Sequence, residues 1–129
     1  MGFTHSPIGS EKFIENFYGF LKDGDIEALA KLFEDSASMS FPGVSNPSGT
    51  YLGRDKIKKF FKKILSFVPD LNFEVLRAIC AGNIVCVEWS FSGNTRRGKL
   101  LLKNGVSVFE LSDSYISSMN NYVASGLFV

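Results

Sequence analysis

The sequence predicts an α+β fold in which a curved antiparallel sheet wraps three N-terminal helices. Three observations predict it. Apolar residues recur at three-and-four spacing in the first half, as in Phe13, Ile14, Phe17, Phe20 and Leu21. From Gly82 to Val123 the period falls to two, so every second residue lines one face of three long strands. Turn residues punctuate that second half at Gly82-Asn83, Gly93-Asn94 and Ser112-Asp113-Ser114.

Each element follows in order. Ser10 is placed to cap the first helix, and Lys22-Asp23-Gly24 ends it, because Gly24 can take the left-handed conformation that closes a helix. Asp25 is placed as N-cap of a second helix, IEALAKLFED, with Ile26, Leu29, Leu32 and Phe33 on one side. Ser36 to Phe41 reads as a strand with Met39 and Phe41 facing inward, and Pro42-Gly43 ends it. The Gly-, Ser- and Pro-rich run to Gly53 reads as a loop at the mouth of the fold. GRDKIKKFFKKILSFV is a third, amphipathic helix carrying a stripe of Ile57, Phe60, Phe61, Ile64, Leu65 and Val68, and Pro69 stops it. Strands are expected at about Asn72–Cys80, Ile84–Phe91, Lys99–Leu111 and Tyr115–Val123.

Composition bounds the function. A chain of 129 residues with 45% hydrophobic content suits one domain, 1–129, with its core at about 10–124. The thirteen Phe against four Tyr favour a dry, ring-lined interior. A formal charge of +1 argues against a nucleic-acid partner, for which a basic footprint is expected. No apolar run approaches the roughly 18 residues of a membrane span, and the first residues lack a signal-peptide build, so no membrane partner and a cytoplasmic location are expected. The one His, His5, and the strand cysteines Cys80 and Cys86 offer no metal pattern. No phosphate-cradling Gly loop or other cofactor motif is visible, and no cofactor is expected.

The run FYGFLKDGDIEALAKLFEDSASMSFPG, then GRDKIKKFF, then VSVFELSDSYISSMNNYV, resembles the nuclear transport factor 2-like (cystatin-like) superfamily. Its members include SnoaL-like polyketide cyclases, ketosteroid isomerases and limonene epoxide hydrolases. The resemblance implies a cone with a pocket open at one end, and commonly a dimer through the outer sheet face. Function is carried over residue by residue, because this fold hosts several chemistries. The isomerase general base falls on Phe41, its Tyr on Phe17 and its oxyanion-hole Asp on Ser107. The aspartate, arginine and aspartate of the epoxide hydrolases fall on Phe91, Trp89 and Asn121, and the acid that cyclases often carry on the last strand falls again on Asn121. A phenyl ring cannot take a proton from carbon, and an amide can orient an oxygen without acting as a base.

Alternation and this resemblance together give a ligand-binding set of Phe17, Met39, Phe41, Phe60, Val87, Trp89, Phe91, Ser107, Phe109, Met119, Asn121 and Val123. The same residues can instead pack as a solid core. Asn121, Ser107 and Tyr18 are the candidates for any catalytic role, with Tyr51 as a further polar fixture. Lys103 shares the parity of Ser107, whereas Glu88 falls on the outer face. The expectation is a SnoaL-like small-molecule-binding protein with an apolar aromatic pocket that lacks the usual catalytic carboxylates. Its alternatives are an enzyme of the isomerase, cyclase or epoxide hydrolase type acting on an apolar cyclic substrate, and a protein-interaction module that dimerises.

Overall fold

The protein was analysed as a computed structural model, which describes residues 3–4, 8–42, 49–124 and 127–128. His5 and most of the expected mouth loop, residues 43–48, lie outside the described residues. The elements run β1 (Phe3–Thr4), α1 (Ile8–Asp23), α2 (Ile26–Ala30), β2 (Phe33–Ser40), β3 (Thr50–Leu52), α3 (Arg54–Phe67), β4 (Asn72–Ala81), β5 (Ile84–Asn94), β6 (Leu100–Ser112), β7 (Tyr115–Val123) and β8 (Leu127–Phe128). One curved sheet joins the strands in the order β1-β4-β5-β6-β7-β2-β3, with β8 beside β6. The four long strands form the expected antiparallel meander. β2 joins it parallel to β7, and β1 parallel to β4, so the sheet as a whole is mixed.

Local chemistry explains most boundaries. α1 ends in paired reverse hydrogen bonds, Gly24 N–H to the Leu21 carbonyl (3.2 Å) and Asp25 N–H to the Phe20 carbonyl (2.9 Å), with Gly24 at φ 72°. At the other end α1 starts at Ile8, so Ser10 lies inside its first turn instead of capping it. The Asp25 carboxylate caps α2 by accepting from Ala28 N–H at 3.1 Å.

α2 is shorter than the sequence pattern predicts. The chain leaves the helix after Ala30, and Phe33, expected on its apolar side, instead opens β2 opposite Ile116. Ile116 N–H donates to the Leu32 carbonyl at 2.8 Å, so pairing with the last long strand satisfies backbone groups that a longer helix would have kept to itself. Arg54, at the start of α3, donates to the Phe33 carbonyl (3.0 and 2.6 Å) and pairs with Asp35 (2.7 Å), fastening α3 to β2. Lys58 of α3 pairs with Glu27 of α2, and this hydrogen bond and charge hold the Glu27 carboxyl below its ordinary value.

Gly93-Asn94 is not a turn. β5 runs through it, and the chain reverses at Thr95–Gly98, where Gly98 N–H donates to the Thr95 carbonyl at 2.8 Å. Gly93 is there for close approach: a Cβ on it would overlap the Val68 side chain and lie 3.4 Å from Leu71 Cα. Cys80 and Cys86 form no disulfide and lie on opposite faces, since Cys80 pairs with Val85 and Cys86 with Ile79.

The core lies between the inner sheet face and the helices. Phe17 of α1 is fully buried at its centre, with ring centroids of Phe109 at 5.0 Å, Tyr18 at 4.9 Å and Phe33 and Phe61 at 6.2 Å, mostly edge to face. No helix among the described residues is long and apolar enough to cross a membrane.

Candidate functional site

The register of the sheet builds the site in rungs. Met39, Met119, Phe109 and Val85 lie side by side across β2, β7, β6 and β5. The next rung is Val87, Ser107 and Asn121, then Trp89, Gly105 and Val123, and finally Phe91 with Lys103. β5 and β6 pair without a register shift from Ile84 to Asn94, so all of these side chains share the concave face.

Along this face the interior changes character. The first two rungs are solid: Met39, Met119, Phe109, Val85 and Val87 are buried against Phe17 and its ring neighbours. Toward the other end the helices and sheet diverge around a cavity of about 530 Å³. Phe41, Phe60, Phe91 and Val123 of the expected ligand-binding set line it. Phe17, Met39, Val87, Trp89, Ser107, Phe109, Met119 and Asn121 are placed in the packed interior behind it.

The lining also includes residues outside that set. Phe61, Ile64 and Val68 come from the α3 stripe, Leu21 from the end of α1, and Leu71 and Phe73 from the start of β4. The signal for Phe73 was its parity, since it pairs directly with Phe91. Among the described lining residues the charged groups are both lysines: Lys103, half-buried on β6, and Lys63, exposed on α3.

Behind the cavity wall lies a buried polar chain. Trp89 Nε1–H donates to Ser107 Oγ (2.8 Å), the Ser107 hydroxyl donates to Asn121 Oδ1 (2.5 Å), and Asn121 Nδ2–H donates to the Ser40 carbonyl (2.9 Å). Both ends of the Asn121 amide are therefore used, which fixes its orientation. The Tyr18 phenol is buried beside Ser107 without a hydrogen bond of regular geometry. Burial raises its pKa well above the ordinary 10.0, and Ser107 offsets only part of that, so it stays protonated and cannot serve as a base. Tyr51, also buried, packs its ring on Phe60 at 4.8 Å and leaves its hydroxyl unpartnered.

Rings separate this chain from the cavity. Trp89 stacks on Phe91 (5.4 Å, 26° between planes) and on Phe41 (6.5 Å, 17°), and meets Phe73 edge-on (6.0 Å). These three neighbours are cavity residues, so Trp89 senses the cavity without lining it. Glu88 points to the outer face, where Arg77 Nε donates to it at 2.7 Å.

The mouth is clasped by its own loops. Asn94 donates to Asp70 through its backbone N–H (2.7 Å) and Nδ2 (3.2 Å), which holds the Asp70 carboxyl below its ordinary value of 3.8. The clasp is therefore complete above that pH and weakens as acid protonates the carboxyl. Arg96 Nε donates to the Ser66 carbonyl (2.6 Å), placing a cation at the C-terminal end of α3 where the helix dipole favours it.

A curved sheet closed over helices, with a cavity at its open end, is the nuclear transport factor 2-like, ketosteroid isomerase-like architecture. The match of residues 14–119 to the SnoaL-like domain shows that the chain belongs to that family. Solved structures agree in fold. A ketosteroid isomerase-like protein from Catenulispora acidiphila in complex with trimethylamine superposes with TM-score 0.76 at 16% identity, covering 86% of this chain and 84% of that one. TerC co-crystallised with polyporic acid gives 0.79 at 20% identity, covering 91% and 92%. An LEH-like epoxide hydrolase of M. tuberculosis gives 0.74 at 16% identity, covering 90% and 83%. A search of curated protein sequences finds no match.

Proposed function

We propose that the protein binds an apolar, ring-bearing small molecule in the cavity at the open end of the cone and does not transform it. What carries the reading is a contrast. Apart from Lys63, Ser66 and Lys103 the lining is rings and aliphatic side chains, with no carboxylate or histidine among its described residues, while the groups that could orient an oxygen, Asn121, Ser107 and Tyr18, sit behind Phe41, Phe73 and Phe91. A cavity of about 530 Å³ lies within the roughly 300–1,000 Å³ of small-molecule sites. TerC, of the same fold, was crystallised with polyporic acid.

The test uses Trp89, the chain's one tryptophan. Titration with a neutral probe, biphenyl-4-methanol, is expected to change Trp89 emission saturably, and Phe91→Ala to weaken binding about tenfold by removing a ring that the ligand would cover. Emission that stays flat to the solubility limit of the probe removes the reading. The enzyme alternative has the oriented Ser107–Asn121 pair in its favour, and it requires the ring wall to open during turnover.

We propose further that a second copy of the chain covers the outer sheet face. There Ile79 and Tyr122 are exposed, Tyr122 at 61%, around half-buried Val106 and Val108 and the Arg77–Glu88 pair. Sedimentation velocity is expected to give twice the chain mass of 14.3 kDa, and Tyr122→Glu to halve it. A wild-type chain that sediments as a monomer at micromolar concentration would exclude this face.

A further inference from the structure

Charge is spread unevenly over this chain, and the uneven end is the open one. Eight of the fourteen basic residues and none of the thirteen acidic ones fall within residues 56–68 and 95–101, although the formal net charge is only +1. The first segment is most of α3, and the second holds the turn between β5 and β6. Hydrogen bonds join them at the mouth. Arg96 donates its backbone N–H to the Phe67 carbonyl (3.3 Å) and its Nε–H to the Ser66 carbonyl (2.6 Å), and both acceptor residues line the cavity. Lys58 is answered by Glu27, and Asp70, between the two segments, is committed to Asn94.

The rim also carries exposed apolar surface. Lys56, Lys59, Lys63 and Phe67 recur at three- and four-residue spacing, so they form one stripe along α3, and the three lysines are exposed. Lys63 and Phe67 line the cavity, which puts the stripe beside its opening. Phe67, where the stripe ends, is 57% exposed, and Leu100, at the base of the adjoining turn, is 38% exposed. Large apolar side chains held in water beside a positive field are the make-up of a surface that meets an anionic, apolar partner.

We infer that this rim docks on an anionic lipid bilayer, with Phe67 and Leu100 entering the headgroup boundary and the basic side chains of α3 and the turn held against the lipid charges. Apolar insertion and charge attraction add here, each Lys or Arg near an anionic leaflet contributing a further increment. The inference rests on the binding reading above for its use: a neutral, ring-bearing molecule leaves water for lipid, and a mouth pressed to the leaflet takes it up without an aqueous passage. No helix among the described residues is long and apolar enough to cross a membrane, and this surface needs contact with one leaflet only. A nucleic acid or other polyanion would answer the charges and leave Phe67 in water.

The test is co-sedimentation with vesicles of phosphatidylcholine and phosphatidylglycerol, set against phosphatidylcholine alone. The chain is expected to bind the mixed vesicles at least about tenfold more tightly and to lose most of that preference in about 0.5 M NaCl. Lys59→Glu combined with Lys63→Glu is expected to weaken binding at least about tenfold, and Phe67→Ser about tenfold. Lys12→Glu, at the start of α1, and Leu52→Ser, an exposed apolar position on β3, are expected to bind as wild type. Equal binding to both kinds of vesicle overturns the docking. So does vesicle binding unchanged in Phe67→Ser and competed away by heparin, which marks the rim as a general polyanion site. No vesicle binding, with a saturable Trp89 response to biphenyl-4-methanol, overturns the docking and leaves the binding reading standing. Phe67-dependent vesicle binding with a flat Trp89 response does the reverse, and failure of both measurements overturns both.

Discussion

Gly105→Ala is expected to destabilise the protein by about 3 kcal/mol, at the upper end of what overpacking a filled interior costs. Gly105 sits on β6 directly opposite Trp89, and the indole lies over it. A Cβ at this position would stand 3.0 and 3.1 Å from Trp89 Cζ2 and Cη2 and would overlap the Tyr122 carbonyl oxygen on the adjacent strand. The indole can tilt away only by giving up its bond to Ser107 and its stack on Phe91. The carbonyl can move only by distorting the β6–β7 ladder. Urea unfolding followed by far-ultraviolet circular dichroism measures the loss, and the near-ultraviolet tryptophan band reports whether the indole has left its seat. A variant as stable as wild type with that band intact would show that the glycine is not there for the ring.

Asn121→Asp carries the second large effect, and its sign depends on pH. The resemblance to cyclases and epoxide hydrolases implies an acid at the matching position, and amide and carboxylate share one shape. In this chain the side chain is 3% exposed and both ends of its amide are committed: Oδ1 accepts from Ser107 and Nδ2 donates to the Ser40 carbonyl. An ionised carboxylate has no hydrogen to offer Ser40 and sets two acceptors against each other. Desolvation then raises the folded-state pKa above the unfolded value of about 3.9. Between those two values the folded state holds more protons than the unfolded one, so stability falls as pH rises. A loss of about 3 kcal/mol is expected at pH 8, much of it recovered near pH 4, where the neutral acid donates to Ser40 in place of the amide. Urea unfolding at the two pH values decides it, and a pH-independent difference from wild type would mean the carboxylate has found solvent or a cation. Either way, recreating the acid is not expected to recreate a catalyst, because the group stays behind the ring wall.

Much of this was legible in residues. The alternation of Val85, Val87, Trp89 and Phe91 gave the inner face of β5 correctly, and Ser107 and Asn121 follow from the same rule because the period of a strand leaves little freedom once one face is apolar. Gly24 and Asp25 announced a helix stop and a cap because those functions need particular backbone and side-chain chemistry. Phe33 was misread because an apolar residue at helical spacing looks the same whether it closes a helix or opens a strand, and the strand it pairs with, β7, lies some eighty residues away. β3 was missed because three residues between two glycines are too few to show a period.

The division between packed interior and open cavity was the least legible part. Phe17 and Phe60 carry the same chemistry, yet one fills the centre and the other faces space, and the difference arises from how far α3 stands off the sheet. Gly93 illustrates the problem. As a sequence letter it reads as a turn, whereas its missing Cβ lets Val68 and Leu71 approach the sheet and shape the cavity wall.

The parallel pairing of β2 with β7 also bears on how the chain is made. β2 leaves the ribosome before β4, β5, β6 and β7, so the edge that β7 will cover stays unmatched until all four have been made. Closing that gap is a non-local event whose entropic cost precedes its reward.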